Sequence, residues 1–168
     1  MLNNKRQGFT LIEIMVVIVI AALLMGVVVM SFPDGNTDRL KKQGQRFVTL
    51  MSYAQDDAIL QSQDLALAVD DAGYSFYRRA GDSWEVYSDK PFASRKMDSD
   101  ITTKMILEGT PLKLKVSKKT KPQIFIYSSG EITPFEYHLS NTEKSTFSLV
   151  FDAAGNVTQV FKNNEQSK

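Results

Sequence analysis

The pattern of hydrophobic and polar positions divides the chain into an apolar run, a helix-periodic segment and a long strand-periodic segment. Residues 11–30 are apolar at every position except Glu13. Because an α-helix rises about 1.5 Å per residue, a helix over residues 9–32 would be roughly 36 Å long and could cross the ~30 Å hydrocarbon core of a bilayer. A lone strand in lipid would leave its backbone groups unpaired. The run therefore predicts a transmembrane helix.

A second helix is predicted after a break in the apolar run. Pro33 and Gly35 break or kink the first helix, and Thr37 or Asp38 can cap a new one. Apolar residues then recur at helical spacing over about 25 residues. This spacing predicts an amphipathic helix whose apolar face packs against a sheet. The members of this face are Leu40, Phe47, Leu50, Met51, Ala54 and Ala58. A basic cluster at the helix start could lie near anionic lipid, although a solvated helix start explains it more simply; it consists of Arg39, Lys41, Lys42 and Arg46.

From Leu65 onward the period is that of strands, and glycine-containing turns separate them. The predicted strands cover residues 65–69, 74–77, 84–87, 102–107, 112–116, 124–127, 135–139, 147–151 and 157–161. Short strands with regular turns indicate antiparallel sheets, here two packed face to face. The predicted fold class is α+β, with a long N-terminal transmembrane helix packed on an antiparallel β-domain.

Two segments of this β-domain need separate interpretations. Residues 88–100 are polar and aperiodic, which predicts a loop that is either a contact surface or a mobile connection. The first hairpins are rich in aromatic residues, which are expected in the core because they recur at strand spacing. These residues are Tyr74, Phe76, Tyr77, Trp84 and Tyr87.

The amino-acid composition excludes most kinds of catalytic site and metal site. The chain has no Cys and one His, so it lacks thiol nucleophiles, thiolate ligands and imidazole pairs. Lys and Arg total 20 against 19 Asp and Glu, and the net charge of +1 calls for no nucleic-acid partner. His138 lies in a predicted strand and is expected to be a surface or hydrogen-bonded residue. The sequence therefore predicts no enzyme, no metal site and no cofactor.

The neighbouring carboxylates do not change this picture. Asp56 and Asp57 are adjacent on a helix and cannot face each other as an acid–base pair. Two further pairs fall in turn or loop composition, namely Asp70 with Asp71 and Asp98 with Asp100. Residues 152–156 supply too few oxygen ligands at the spacing of a calcium loop.

The residues before the apolar run form a basic leader. Lys5 and Arg6 place the N-terminus in the cytoplasm by the positive-inside rule, although Arg39 and its basic neighbours on the far side weaken that argument. The region after the run offers no convincing small-residue cleavage site of a secretory signal. The conspicuous small residue is Gly8, and cleavage there would leave the apolar helix as the new N-terminus.

The sequence at this junction resembles the prepilin signature of type IV pilins and type II secretion pseudopilins. The matching residues are Gly8-Phe9-Thr10-Leu11-Ile12-Glu13 and the apolar run that follows them. The resemblance implies that a membrane-embedded prepilin peptidase cuts between Gly8 and Phe9. It also implies that the same enzyme N-methylates Phe9, and that the N-terminus is cytoplasmic before processing.

Glu13 is the unusual residue of this segment. A carboxylate inside a bilayer costs ~2.5–3.5 kcal/mol, and less near a helix end. Glu13 alone could reach the interface, favoured by the positive helix N-terminus. The resemblance implies instead that Glu13 neutralises the ammonium created at Phe9, preferably that of a neighbouring subunit, and so sets register in a helical filament.

The order of the C-terminal segments resembles the minor subunits of the pseudopilin H type. Residues 125–134 form a strand–glycine–strand step, and residues 147–157 follow as a strand and an Asp-Ala-Ala-Gly-Asn turn. This resemblance implies a type II secretion subunit near the tip of a periplasmic pseudopilus that helps export folded proteins through the outer membrane. It divides the chain into a cytoplasmic leader (1–8), a membrane and filament-core helix (9–32), a kinked linker with an amphipathic helix (33–64) and a periplasmic β-domain (65–168).

The implied partners are the prepilin peptidase, the major pseudopilin, other minor pseudopilins of the tip complex and inner-membrane lipid. One alternative is a minor type IV pilin that primes pili or takes up DNA. A lysine run could support DNA binding but is interpreted as a solvated hairpin edge; it comprises Lys113, Lys115, Lys118, Lys119 and Lys121. A membrane-anchored ligand-binding module is a third class, which leaves Gly8 and Glu13 unexplained.

Overall fold

The computed structural model describes residues 10–29, 35–115 and 121–163. These residues form helices α1 (Leu11–Val29) and α2 (Gly35–Leu60), followed by strands. The strands are β1 (Leu65–Asp70), β2 (Gly73–Ala80), β3 (Ser83–Val86), β4 (Arg95–Lys96), β5 (Ile101–Leu107), β6 (Thr110–Leu112), β7 (Ile124–Ile126), β8 (Phe135–Asn141), β9 (Thr146–Phe151) and β10 (Val157–Lys162). The chain separates into two units, of which the first ends at Gly35 and the second begins at Asn36.

Helix α1 consists of 19 residues and carries one charged residue, Glu13, in its first turn. The first hydrogen bonds of the helix go to the Thr10 carbonyl, which accepts from the N–H groups of Glu13 at 3.0 Å and Ile14 at 3.4 Å. None of the helices in the described part of the chain has the length and apolar character that a membrane crossing requires. The transmembrane helix over residues 9–32 includes residues outside this part and stays a prediction.

Helix α2 confirms the amphipathic helix read from the sequence. It spans 26 residues and begins at Gly35, so Thr37 and Asp38 lie inside its first turn and the predicted cap at either residue is wrong. Every residue of the predicted apolar face is at most 4% exposed; these are Leu40, Phe47, Leu50, Met51, Ala54 and Ala58.

The strands form two antiparallel sheets. The first sheet has the order β3-β2-β1-β7, with β4 also paired to β2, and the second has the order β10-β9-β8-β5-β6. In the first sheet Leu67 lies opposite Phe76 on one side and Ile124 on the other. In the second sheet Tyr137 lies between Met105 and Leu149. All of these side chains belong to one buried cluster shared with α2, so α2 and both sheets have a common core.

Phe47 on α2 lies where the helix meets both sheets. Its ring centre is 5.2 Å from that of Tyr74 in the first sheet and 4.5 Å from that of Tyr137 in the second. Phe135 and Phe151 add edge contacts at 6.2 and 6.1 Å. Such aromatic pairs contribute about 0.5–1.5 kcal/mol each beyond the area they bury. Phe47 therefore fixes α2 to the two sheets at once.

The strand predicted over residues 112–116 is wrong in position. β6 ends at Leu112, and residues 113–115 belong to no strand. Lys113 and Lys115 are exposed while Leu114 between them is half-buried. Residues 113–115 therefore show the alternating exposure that is typical of a strand, although they do not pair with another strand. Lys118 and Lys119 of the predicted lysine run lie outside the described residues.

The loop predicted over residues 88–100 contains ordered structure. β4 pairs with the start of β2, where Lys96 lies opposite Gly73 and Arg95 opposite Tyr74. Phe92 is 3% exposed, and its ring stacks on Tyr87 with the centres 4.8 Å apart. A two-residue strand is too short to show a period, and one buried aromatic residue gives no periodic signal either. The loop prediction therefore holds for this segment apart from Arg95 and Lys96, and it missed that β4 and Phe92 anchor the loop to the domain.

The core position expected for the aromatic hairpins is right for Tyr74 and Phe76, which are 4% and 1% exposed. It is wrong for Trp84, which is half-buried and packs its ring on Phe125 with the centres 5.6 Å apart. Phe125 pairs with Ala66 on the face of the sheet opposite to Leu67, because successive residues of a strand point to opposite faces. A pattern of aromatic residues does not tell which of the two faces each one occupies.

We predict that Gly44→Ala destabilises the fold. A methyl group at residue 44 would overlap the ring of Phe147, which is buried in the core. Overpacking of this kind costs about 1–3 kcal/mol. The measurement is urea unfolding of the full chain in detergent, followed by the fluorescence of the single tryptophan, Trp84.

Gly35→Ala in the same helix is the matched control, because nothing lies within 4 Å of its added methyl group. Its unfolding midpoint should not fall. A Gly44→Ala variant as stable as the parent chain would contradict the close approach of α2 to β9.

Candidate assembly site

Glu13 lies on a helix that is otherwise apolar on every side. All residues from 11 to 20 are exposed within the chain, and the large apolar side chains among them are between 51% and 78% exposed, from Ile20 to Leu11. Burying one such side chain contributes about 1.5–3 kcal/mol. A contiguous apolar surface of this size marks a site that lipid or other helices cover. Gly8 and Phe9, the residues of the predicted cleavage site, lie outside the described residues.

The adjacent acids Asp56 and Asp57 have separate environments, as predicted. Asp56 is exposed, whereas the Asp57 carboxylate accepts a hydrogen bond from the Tyr87 hydroxyl at 3.2 Å. Burial raises the pKa of the Tyr87 hydroxyl, and the charge and hydrogen bond of Asp57 raise it further. The hydroxyl is thus held as a donor to Asp57, which ties α2 to the segment after β3.

The other acids singled out by the sequence lie in turns or loops, except Asp70, which is the last residue of β1. The Asp70 carboxylate accepts a hydrogen bond from the Ala72 N–H at 2.8 Å, and the Asp98 carboxylate accepts one from the Gln43 side chain at 3.4 Å. No group of three or more His, Cys, Asp or Glu residues within the described ranges could hold a metal ion.

His138 lies in β8 and is hydrogen-bonded, as expected. One ring nitrogen is 2.9 Å from the Ser148 hydroxyl and the other is 3.0 Å from the Glu136 carboxylate. Glu136 and His138 share a face because they are two residues apart in a strand. Ser148 is directly opposite His138 in β9. The contact between Ser148 and His138 depends on the register of β8 and β9, which the sequence pattern does not predict.

The turn over residues 152–156 is stabilised by hydrogen bonds to the carboxylate of Asp152. Asp152 accepts hydrogen bonds from the N–H groups of Ala154 at 3.0 Å and Asn156 at 2.9 Å, and from the Asn156 side chain at 2.9 Å. The side-chain bond from Asn156 contributes most, and these bonds lower the pKa of the Asp152 carboxyl. Gly155 has φ of +84°, and a methyl group there would overlap the Gln55 amide. Both oxygens of the Asp152 carboxylate therefore accept hydrogen bonds from within the turn.

Gln55 on α2 holds two turns together, and sequence reasoning missed it. Its amide nitrogen donates to the carbonyl of Gly130 and, at 2.9 Å, to that of Ala154. The sequence could have indicated this role, because Gln55 lies at the edge of the apolar face of α2. A polar side chain at such a position can extend past the core and hydrogen-bond to neighbouring loops.

Two family models match the chain. The prokaryotic N-terminal methylation motif matches residues 3–29, and the type II transport protein GspH matches residues 43–155, which is more than half of the chain. The chain belongs to the GspH family. The minor pseudopilin of type II secretion expected from the sequence is thereby confirmed, and the family is a structural subunit of a secretion system.

Curated relatives agree with this family. The type II secretion system protein H of Pseudomonas aeruginosa is 34% identical over 147 residues, which cover 80% of this chain and 83% of that protein. The protein of the same name from Aeromonas hydrophila is 26% identical over 157 residues, which cover 86% of each chain. The methylation motif and the family imply a membrane-anchored subunit that assembles with other pseudopilins.

Solved structures share the fold. The crystal structure of the minor pseudopilin EpsH from the type II secretion system of Vibrio cholerae matches with a TM-score of 0.63 and 20% identity, over 74% of this chain and 97% of that one. The solution structure of E. coli GspH matches with a TM-score of 0.60 and 17% identity, over 77% of this chain and 93% of that one. The predicted α+β class with two antiparallel sheets is confirmed for this GspH-family chain.

We predict that the stabilising effect of Asp152 depends on pH. Because its folded-state pKa is lowered, its contribution is present above the unfolded value of about 3.9 and is lost as the pH falls through the folded value. Asp152→Ala should therefore lower the urea midpoint at neutral pH, and the difference from the parent chain should shrink under strongly acidic conditions. Asp82→Ala, at an exposed turn position, is the control and should leave the midpoint unchanged. A difference independent of pH would contradict the role of the ionised carboxylate.

Proposed function

We propose that this GspH-family chain is a structural subunit near the tip of the pseudopilus, where it helps push folded proteins through the outer membrane. The observation that carries the proposal is the exposed apolar surface of α1 with a single carboxylate in its first turn. A helix that is apolar all round needs lipid before assembly and other helices after it. The second unit has a buried core of its own and is free to serve as the periplasmic part.

Residues 9–32 form the single membrane pass in this proposal, with the N-terminus in the cytoplasm and the C-terminal domain in the periplasm. Residues 1–8 are the leader that the prepilin peptidase removes, and Phe9 becomes the N-methylated first residue. Residues 33–64 comprise the linker and α2, and residues 65–168 comprise the β-domain. The family and its methylation motif support this division.

Glu13 then acts as the partner of the new ammonium at Phe9. An unpaired ammonium in hydrocarbon is unfavourable, and a carboxylate one helical turn away or on a neighbouring subunit offsets that cost. Pairing with a neighbour fixes the axial position of α1 relative to that neighbour. An apolar surface alone would not fix this position, because it packs almost equally well at many axial positions. The neighbours are the major pseudopilin and the other minor pseudopilins of the tip complex, and inner-membrane lipid surrounds α1 before assembly.

The proposed function is tested by a clean deletion complemented in trans. Release of folded periplasmic enzymes into the medium and surface piliation with DNA uptake are scored in the same strain. We expect secretion to be lost while pili and uptake remain. Loss of pili or uptake with secretion intact would instead favour a minor type IV pilin.

We predict that Glu13→Ala fails to restore secretion although the chain still folds. The loss should exceed tenfold, because removal of one partner of a buried charge pair costs about 3–5 kcal/mol. Protease resistance of the second unit reports folding and should be unchanged. Thr10→Ala, in the preceding turn, is the matched control and should restore secretion. Full activity of Glu13→Ala would remove the proposed role of the carboxylate.

We also predict a processed N-terminus. Mass spectrometry of the chain purified from a strain with the prepilin peptidase should show loss of residues 1–8 and one added methyl group on Phe9. In a strain without the peptidase both changes should be absent. A mature chain that still begins at Met1 would rule out cleavage between Gly8 and Phe9.

A further inference from the structure

Three of the four sheet edges in the described part of the chain are protected against pairing with another strand. One edge of the first sheet is divided between β3 and β4, which have four and two residues. The other edge, β7, is covered because the Thr133 N–H donates to the Phe125 carbonyl at 2.9 Å. In the second sheet, β6 has three residues and contains Pro111. Short strands and proline are usual means of preventing edge-to-edge contact.

The fourth edge, β10, lacks this protection. It has six residues, contains no proline or glycine, and pairs without interruption with β9. No residue in the described ranges pairs with its outer side. β-branched and aromatic residues make up most of it, and these favour strands. An exposed edge of this length is a template for strand addition, in which main-chain hydrogen bonds hold the partner.

The turn before β10 determines which backbone groups face outward. The Asp152 N–H donates to the Asn156 carbonyl at 3.1 Å, so Asn156 directs its backbone groups toward β9. Bonded and non-bonded pairs alternate along an antiparallel ladder. The N–H and carbonyl groups of Val157, Gln159 and Phe161 therefore point away from β9.

The hairpin on the other side of β9 gives the same pattern. The Asn141 N–H donates to the Ser145 carbonyl at 3.1 Å, so the odd-numbered residues of β9 direct their backbone groups toward β8. Its even-numbered residues then face β10, where their register partners are Thr158, Val160 and Lys162. Both hairpins therefore leave three donors and three acceptors of β10 on the outer side.

The end of β10 is cationic, and its middle is apolar. Lys162 is exposed, and the Lys41 ammonium of α2 lies 4.4 Å from the centre of the Phe161 ring. Neither lysine forms an ion pair within the part of the chain that the structure describes. Val160 and its diagonal neighbour Val150 are 42% and 41% exposed. A strand added to this edge would meet apolar surface at its middle and positive charge at one end.

We propose that β10 binds an extended segment of a different subunit by strand addition, with an apolar residue beside Val160 and a carboxylate beside Lys162. That the partner is another subunit of the secretion assembly rests on the proposed function. A second copy of this chain is a poorer match. In the two-fold antiparallel pair centred on Gln159, Asn156 would lie opposite Lys162, and both lysines would remain without a carboxylate.

A six-residue peptide tests the edge directly. The probe is acetyl-Glu-Thr-Val-Thr-Val-Thr-amide, which in the antiparallel arrangement places its glutamate beside Lys162. It is added to the full chain in detergent, and amide hydrogen exchange is followed by NMR. Exchange at Val157, Gln159 and Phe161 should slow by about tenfold or more at saturation, because these N–H groups become hydrogen-bonded. Exchange at Thr158, whose N–H is already bonded to β9, should not change.

Gln159→Pro removes the central outward N–H and leaves the bonds to β9 in place. Probe affinity should fall by about tenfold, because a carbonyl of the probe loses its donor. The urea midpoint should stay near that of the parent chain, whereas Val160→Pro, which removes a bond to β9, should lower it. Gln159→Ala keeps the N–H and is the matched control. In the deletion strain, Gln159→Pro should restore about tenfold less secretion than Gln159→Ala does.

Charge reversal tests the chemistry of the partner. Lys162→Glu should weaken binding of the probe by about fivefold, because attraction between exposed charges becomes repulsion. The same variant should prefer a second probe that carries lysine in place of the glutamate. Lys90→Glu, at an exposed position after β3, is the matched control and should bind both probes as the parent chain does.

Four outcomes would overturn the proposal. Exchange that the probe leaves unchanged would show that β10 adds no strand, and equal affinity of the parent chain for both probes would show that the charge of Lys162 is not recognised. Slow exchange at Gln159 without the probe, increasing with protein concentration, would assign the edge to a second copy. Full secretion with Gln159→Pro would show that the assembly does not use this edge. If the deletion leaves secretion intact, the proposed function and the identity of the partner fail, while the exchange data still decide whether β10 adds a strand.

Discussion

The burial of Phe47 between α2 and the two sheets is the interaction on which the rest of the structure depends. The ring reaches both sheets because small residues bring the α2 backbone close to the strands. Gly44 faces the ring of Phe147, and Ala54 and Ala58 are completely buried. Close-packed interiors place large side chains opposite small ones in this way. The helix is thus fixed in rotation, and that rotation decides which of its residues face outward.

Fixing α2 in this way separates the residues that stabilise the fold from those that can bind a partner. The buried face consists of apolar side chains in a common core with both sheets. Gln55 at the rim joins the turns that contain Gly130 and Ala154 to the helix, so these turns are part of the rigid unit. The opposite face carries charges that the core does not need. The rigid unit also holds the outer edge of β10 in place, so a partner strand meets donors and acceptors whose spacing does not change.

Local periodicity was enough to predict the parts of the structure that depend on one segment alone. The buried face of α2 and most strands follow directly from helical and alternating patterns. Features that need two distant segments could not be predicted. The pairing of β4 with β2, the Ser148 partner of His138 and the outer-face position of Trp84 all depend on strand register. The lysine and leucine alternation at residues 113–115 misled the prediction because a period alone does not supply a pairing partner. In the candidate site, Glu13 was identifiable because a charge in an apolar run is rare.

Helix α1 has the opposite character to α2, and the difference explains why one carboxylate matters there. On α2, an apolar face and a polar face define the rotation of the helix. On α1, every side is apolar, so burial favours all rotations and many axial positions almost equally. Glu13 is the one group whose energy in hydrocarbon depends strongly on what lies next to it. A single buried polar residue can specify register in a helix bundle at a cost in stability. The apolar surface of α1 thus supplies affinity for lipid and for other helices, while its carboxylate supplies position.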